Sequence, residues 1–266
     1  MKTIAVCSFK GGTAKTSIAL NTGSALARFH NKRVLMVDFD AQANLTSGLG
    51  FDPDSHDSMA AVLQDNKTIE EVIVPTDQPL VDLIPADTWL ERVEMTGILA
   101  SDRYSHEKLQ QILQPLNYDI AMIDTPPSLC WLTESSLIAC DYALVCATPE
   151  FYSIKGLQRL SYFMHYISER HPFHLLGVAL SFWNARGRSN RDFLEVVAET
   201  FPEKILQTKV RRDIAVSEAS IHGKPVFVTK PKSRAAEDYL KLTKELFAKM
   251  TDTLAEIEDS PSYSKT

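Results

Sequence analysis

With 266 residues, 44% of them hydrophobic and 23% charged, the chain has the composition of an ordinary globular protein long enough for one sizeable α/β core. A net charge of −6 argues against wholesale coating of nucleic acid and leaves room only for a local basic face. Cys7, Cys130, Cys140 and Cys146 show no C-x-x-C spacing, which argues against zinc and disulfide frameworks and fits a reducing cytoplasm, while no apolar stretch approaches the roughly 20 residues that span a bilayer.

The first expected element is a strand at Lys2–Cys7. It enters the loop Phe9-Lys10-Gly11-Gly12-Thr13-Ala14-Lys15-Thr16-Ser17, and a helical pattern follows over Lys15–Phe29. Strand, glycine-bearing loop and helix in that order make a phosphate-binding loop, because unpaired N–H groups at a helix start, backed by the helix dipole, converge on an anion. The form G-x-x-x-x-G-K-[ST] would place glycine at positions 9 and 14, where this chain has Phe9 and Ala14. Lys15 is placed for the β- and γ-phosphates and Thr16 for Mg²⁺. Lys10 is an extra lysine. One suffices for a nucleotide held by its own loop, so Lys10 points to a nucleotide in a facing subunit, the alternative being a Gly-Gly turn flanked by two solvated lysines. The methyl group of Ala14 is tolerated if its φ is negative.

A second strand is expected at Arg33–Val37, and Asp38 and Asp40 emerge at its C-terminal end, where open α/β sheets place their ligands. Side-chain alternation lets the two carboxylates share one face unless Asp40 already lies in the loop. Phe51–Asp57 reads as a surface loop. Strands at Val81–Ile84, Asp119–Ile123, Ala143–Ala147 and Leu175–Leu180 alternate with helices at Thr88–Ala100, Glu107–Leu113, Thr133–Ala139, Ile154–Glu169, Asn190–Phe201 and Ala235–Glu258. Asp124 closes the Asp119–Ile123 run as Asp38 closes its own, so two strand-end carboxylates converge on the loop, suited to a magnesium-bound phosphate. Apolar strands separated by helices predict a mostly parallel sheet with helices on both faces, of the P-loop nucleotide-hydrolase type, in one domain over residues 1–258 with a disordered tail at 259–266.

Together, Lys10-Gly11-Gly12-x-x-Lys15-Thr16, Val37-Asp38-x-Asp40-x-Gln42-x-Asn44 and Ile123-Asp124-x-Pro126-Pro127-Ser128 resemble the deviant Walker A ATPases of the ParA/MinD group. Glu150-Phe151-Tyr152-Ser153-Ile154-Lys155-Gly156-Leu157 and Ser233-Arg234-Ala235-Ala236-Glu237-x-Tyr239 extend the resemblance, and Ser217-Glu218-Ala219-x-x-His222-Gly223-Lys224-Pro225 is characteristic of the ParA/Soj partition branch. The resemblance implies that Lys10 crosses an ATP-sandwich homodimer, that Lys15 and Thr16 serve the phosphates and magnesium, and that Asp38 supports the magnesium shell. It further implies that Asp40 orients the hydrolytic water and that Asp124 is the Walker B aspartate. Gly11, Gly12, Thr13, Ala14 and Ser17 complete the ATP-binding loop. Hydrolysis is expected to be slow until a ParB-like partner stimulates it, in a cytoplasmic, nucleoid-associated protein with no membrane attachment.

The resemblance places the adenine between Phe182-Trp183-Asn184 and Val210-Arg211-Arg212, with Asn184 to bond the base and Arg211 or Arg212 to stack on it, or else as solvated charge. From Lys204 to Arg234, eight basic side chains stand against two acidic ones. Together with Arg186 they suggest nonspecific DNA binding through Arg186, Arg212, Lys230, Lys232 and Arg234. Four departures bear on activity: Ala14 stands where most of the family has glycine, Ala41 and Ala43 replace the proline and glycine of the family's D-P-Q-G-N, and Ala215 stands where its V-R-L-S-E-A has arginine. They leave open a second reading, a nucleotide-binding regulatory protein with little or no hydrolysis that works by recruiting partners. The chain has no room before its first strand for an N-terminal helix-turn-helix domain.

Overall fold

A computed structural model describes residues 1–95, 104–150, 153–187 and 190–258. In chain order it comprises β1 (Lys2–Cys7), α1 (Lys15–His30), β2 (Val34–Asp38), α2 (Asn44–Gly48), α3 (Met59–Leu63), α4 (Ile69–Val72), β3 (Val74–Pro75), β4 (Val81–Ile84) and α5 (Trp89–Met95). There follow α6 (Lys108–Leu113), β5 (Ile120–Asp124), α7 (Trp131–Ala139), β6 (Tyr142–Ala147), α8 (Ser153–Ser168), β7 (His174–Trp183) and α9 (Asn190–Thr200). The last described elements are β8 (Ile205–Arg211), α10 (Ile214–Ile221), α11 (Val226–Thr229) and α12 (Arg234–Glu258). The tail expected to be disordered, Phe151 and Tyr152, and the end of the helix expected over Thr88–Ala100 lie outside the described residues.

The strands form one eight-stranded sheet in the order β3-β4-β2-β5-β1-β6-β7-β8. Every ladder is parallel except β3 with β4. Alternation divides each buried strand between two helical layers. Ile4 and Val6 of β1 pack with α1 and α12, whereas Ala5 and Cys7 pack with α7 and α8 on the other face. Leu35 and Val37 of β2 likewise face α3 to α7. From β1 the chain first builds leftward to β2, and later returns to lay β6 on the opposite side of β1. The strand order therefore reverses at β1, which opens a crevice beyond its C-terminal end, where the loop sits.

Two departures from the sequence expectations matter. β8 was not expected: only Leu206 and Val210 of its seven residues are buried, and its exposed edge is held by Glu245 of α12, whose carboxylate accepts from Gln207 N at 2.7 Å and Thr208 N at 2.9 Å. Second, the loop after α2 meets the loop after α10 backbone to backbone. Gly50 (φ 89°) and Gly223 (φ 62°) both lie in the left-handed region, and a Cβ on Gly223 would stand 2.5 Å from Gly50 Cα.

Candidate functional site

The loop between β1 and α1 ends in a left-handed turn. Ala14 caps α1 with φ 60° and ψ 26°, and its carbonyl accepts from Ile18 N at 2.8 Å. The condition of a negative φ is not met: turning from the strand into the helix over Gly12 (φ 76°) and residue 14 takes the left-handed conformation, which the alanine adopts against its own preference. Ala43 does the same at the start of α2, with φ 51°. Phe9 turns toward α8, where Gly156 leaves it room, since a Cβ there would lie 2.4 Å from the ring.

Lys10, Gly11 and Gly12 form the mouth of the loop. A Cβ built on either glycine meets no atom within 4 Å, so the backbone faces open space as a phosphate cradle must. Thr13 is buried, and its carbonyl accepts a 2.7 Å bond from Ser181 Oγ of β7, pinning the loop to the sheet. Gly11, Gly12, Thr13, Ala14, Lys15, Thr16 and Ser17 line a cavity of about 560 Å³ with Asp40, Gln42 and Asn44. An adjoining cavity of about 910 Å³ is lined by Asn184, Arg186, Arg211, Arg212, Arg234, Glu150 and Phe182. Gly12 and Phe182 border both.

Lys15 is 7% exposed and points into the interior, whereas Lys10 stays at the surface and forms an ion pair with Glu150. The two lysines thus have different surroundings within one loop. Behind the cavity, Asp38 and Asp124 are register partners at the ends of β2 and β5, and both are fully buried. Asp40 lies past the strand, 5% exposed, with its Oδ1 accepting from Gln42 N at 3.1 Å. Burial raises its pKa against the pull of the Gln42 amide and Lys15.

The two strand-end carboxylates differ. Asp38 Oδ2 accepts from Thr46 N and Thr46 Oγ1, both at 2.8 Å, and Oδ1 accepts from Asp40 N at 3.3 Å. Burial, and then the neighbouring Asp124, still push Asp38 up to about 8. Both oxygens of Asp124 are buried without a hydrogen-bond partner. Burial raises it to about 6, with Lys15 and then the nearby Thr16 hydroxyl drawing it back. A buried carboxylate without hydrogen-bond partners, beside a hydroxyl and a second carboxylate, is an all-oxygen donor set, and these residues fit magnesium.

Of the residues expected at the base, Asn184 is exposed and accepts from Arg186 N at 3.1 Å. Arg211 is held by Asp238 in a bidentate pair at 2.8 and 2.6 Å, with Glu237 at 3.3 Å. Arg212 sits 5.7 Å over the ring of Phe182, a bulky residue with φ 50°. Among the residues expected to contact DNA, Arg186, Arg212, Lys230, Lys232 and Arg234 are all exposed, but Lys230 pairs with Glu218 at 3.0 Å and Arg234 with Asp213 at 3.8 Å. Ala215 is buried, so the position where the resemblance expects arginine packs inward.

Thr46 and Ser181 were given no role from the sequence, and Phe182 was placed only within a segment flanking the base. A threonine eight residues after Asp38 carries no local signal of the carboxylate it meets, and Ser181 reaches the loop from 168 residues away. The strained φ of Phe182 is invisible in an apolar strand.

A family model described as an AAA domain matches residues 1–175. A ParA family protein of Chlamydia pneumoniae is 65% identical over 254 residues, covering 95% of this chain and 100% of the relative. The sporulation initiation inhibitor protein Soj of Bacillus subtilis is 35% identical over 252 residues, covering 93% of this chain and 98% of Soj. Among solved structures, cobyrinic acid a,c-diamide synthase of Mycobacterium smegmatis with bound ADP and magnesium superimposes with a TM-score of 0.79 at 28% identity, covering 92% of this chain and 93% of the synthase.

Proposed function

The chain belongs to the ParA family, and from that membership we propose that it is a magnesium-dependent DNA-partition ATPase that dimerises on ATP, binds DNA nonspecifically and hydrolyses ATP slowly until a ParB-like partner stimulates it. The observation that carries this reading is the division of labour between the two lysines: Lys15 is buried beside the carboxylates, and Lys10 stands at the mouth of the same loop. A lysine at the mouth is placed to serve a nucleotide outside its own subunit, much as a trans-acting finger does.

In this reading the loop amides from Gly11 to Thr16 hold the phosphates, Lys15 neutralises them, and Thr16, Asp38 and Asp124 hold magnesium. Asp40, at the cavity wall, orients the attacking water, and Lys10 of the facing subunit stabilises charge on the transferred phosphoryl group. Bound magnesium supplies charge neutralisation between the phosphate oxygens. The cavity bordered by Asn184, Phe182 and Arg212 takes the base, and of the two arginines Arg212 is left to stack, since Arg211 is held by Asp238. Dimerisation is supported by α10, which buries only Ala215 and Ala219 and leaves Ile214 73% exposed and Ile221, on the wall of the phosphate cavity, 81% exposed. Arg186, Arg212, Lys230, Lys232 and Arg234 offer a cationic surface for DNA phosphates. The left-handed Ala14 and Ala43 keep the turns that glycine would make, which weighs toward turnover and against a purely regulatory role.

The test is phosphate release with and without DNA and a candidate partner, compared with Asp40→Ala. Magnesium-dependent release that the substitution abolishes is expected. None under any condition would sink the enzyme reading.

A further inference from the structure

Thr46 is the residue of the carboxylate cluster that the proposed chemistry leaves unused. It is fully buried, uncharged, and lines neither cavity. We propose that Thr46 is a positioning residue for Asp38, setting the affinity of the site for magnesium without touching the ion or the nucleotide. The inference rests on reading Asp38 as a carboxylate of the magnesium shell.

The direction of the hydroxyl proton is settled by its neighbours. Thr46 Oγ1 accepts a 3.0 Å bond from Ala86 N, just beyond β4, and lies 2.8 Å from Asp38 Oδ2. A hydroxyl has one proton, and with the Ala86 N–H on a lone pair that proton points at Asp38 when Asp38 is ionised, the form a cation selects. The backbone N of Thr46 donates to the same Oδ2 at 2.8 Å. Two donors from one residue therefore fix one carboxylate oxygen, while Oδ1 has only the longer 3.3 Å bond from Asp40 N. Across the ladder, neither oxygen of Asp124 has a hydrogen bond of good geometry, and the Thr16 hydroxyl is the donor that stands near it. One carboxylate of the pair is held by protein and the other is left for a ligand, which is how a site fixes the orientation of a cation shell.

A purely structural role predicts something different. Several threonines inside helices turn back on their own helix, Thr22 to Ile18 O, Thr200 to Val196 O, Thr243 to Tyr239 O and Thr251 to Phe247 O, and Thr133 of α7 reaches only as far as Ser128 O, just ahead of its own helix. Thr46 also lies inside a helix, α2, but directs its hydroxyl away to the end of β2. It joins three elements, α2, β2 and the segment after β4, at a single oxygen.

The test is a magnesium titration with the fluorescent N-methylanthraniloyl derivative of ADP on the full chain, alongside binding of that nucleotide in EDTA. For Thr46→Val, the magnesium midpoint should rise about tenfold or more, with nucleotide affinity in EDTA within about twofold of wild type. Thr46→Ser, which restores the donor, should return the midpoint to within about twofold of wild type. A Thr46→Val midpoint indistinguishable from wild type overturns the proposal, as does a Thr46→Ser midpoint displaced as far as that of Val, since methyl packing would then be the cause. Should Val prevent folding, Thr46→Cys, with similar volume and a much weaker donor, replaces it under the same criteria. Asp38→Asn separates the two levels: if its midpoint does not move, the magnesium reading of Asp38 falls, and if it moves while Thr46→Val does not, only the role of Thr46 falls.

Discussion

Lys10 and Glu150, 140 residues apart in sequence, form an ion pair across the mouth of the phosphate loop. Both side chains are about half exposed, so the pair is weak, worth at most about 1 kcal/mol, but it occupies the lysine that the proposed dimer needs. Glu150→Ala should strengthen ATP-dependent dimerisation by roughly two- to fivefold per subunit, and Lys10→Ala should abolish it while leaving ATP binding intact. Sedimentation with a non-hydrolysable ATP analogue measures both. An unchanged dimer in Lys10→Ala would refute the cross-subunit role.

Ala14 and Ala43 hold left-handed conformations that cost a non-glycine residue about 1–2 kcal/mol. Glycine would relieve that cost but give back about 0.4–1 kcal/mol in unfolded-chain entropy. Ala14→Gly and Ala43→Gly should therefore each stabilise the ion-free protein by about 0.5–1 kcal/mol in urea denaturation. A loss of stability in either variant would show that the methyl group contributes packing not accounted for here.

Asp38, pushed from 3.8 to about 8, ties stability to pH. The folded protein keeps a proton that the unfolded chain has lost, so the contribution is fully present below about pH 4 and is lost as pH rises through about 8. Asp124 adds to the same trend up to about 6. In EDTA, wild-type stability should fall with rising pH across this window, more steeply than Asp38→Asn by up to about 1.4 kcal/mol per pH unit. Parallel pH profiles would contradict the raised value of Asp38.

Arg211 and Arg212 are adjacent in sequence and unlike in structure. Arg211 neutralises Asp238, whose side chain is 6% exposed, whereas Arg212 lies open over Phe182. Arg211→Ala strands a buried carboxylate and should cost about 1–3 kcal/mol of stability. Arg212→Glu, combined with Arg186→Glu, should leave stability within about 0.5 kcal/mol and reduce DNA retention at low salt. Equal melting temperatures for wild type and Arg211→Ala would remove the distinction.

The buried strands were legible because each is a short apolar run between helical patterns, and the loop lysines and strand-end aspartates were legible because their chemistry is written in local spacing. β8 was not, since its charged outer residues hide an edge strand held by Glu245 from another element. The short helices α2, α3, α4, α10 and α11 have too few turns to establish a period. Thr46 and Ser181 act across long sequence separations, and the φ of Ala14 is dictated by the turn it completes rather than by its own preference.

At Gly50 and Gly223, main chain rests on main chain with no side chain between. The pair works as a bearing. One side belongs to α2, which grips Asp38 through Thr46, and the other to α10, which presents Ile214 and Ile221 to whatever docks there. With no flexible side chain to absorb a displacement, movement of the outer helix is handed to the inner one. A methyl group on Gly223, 2.5 Å from Gly50 Cα, would jam that joint without touching any residue that lines the phosphate cavity.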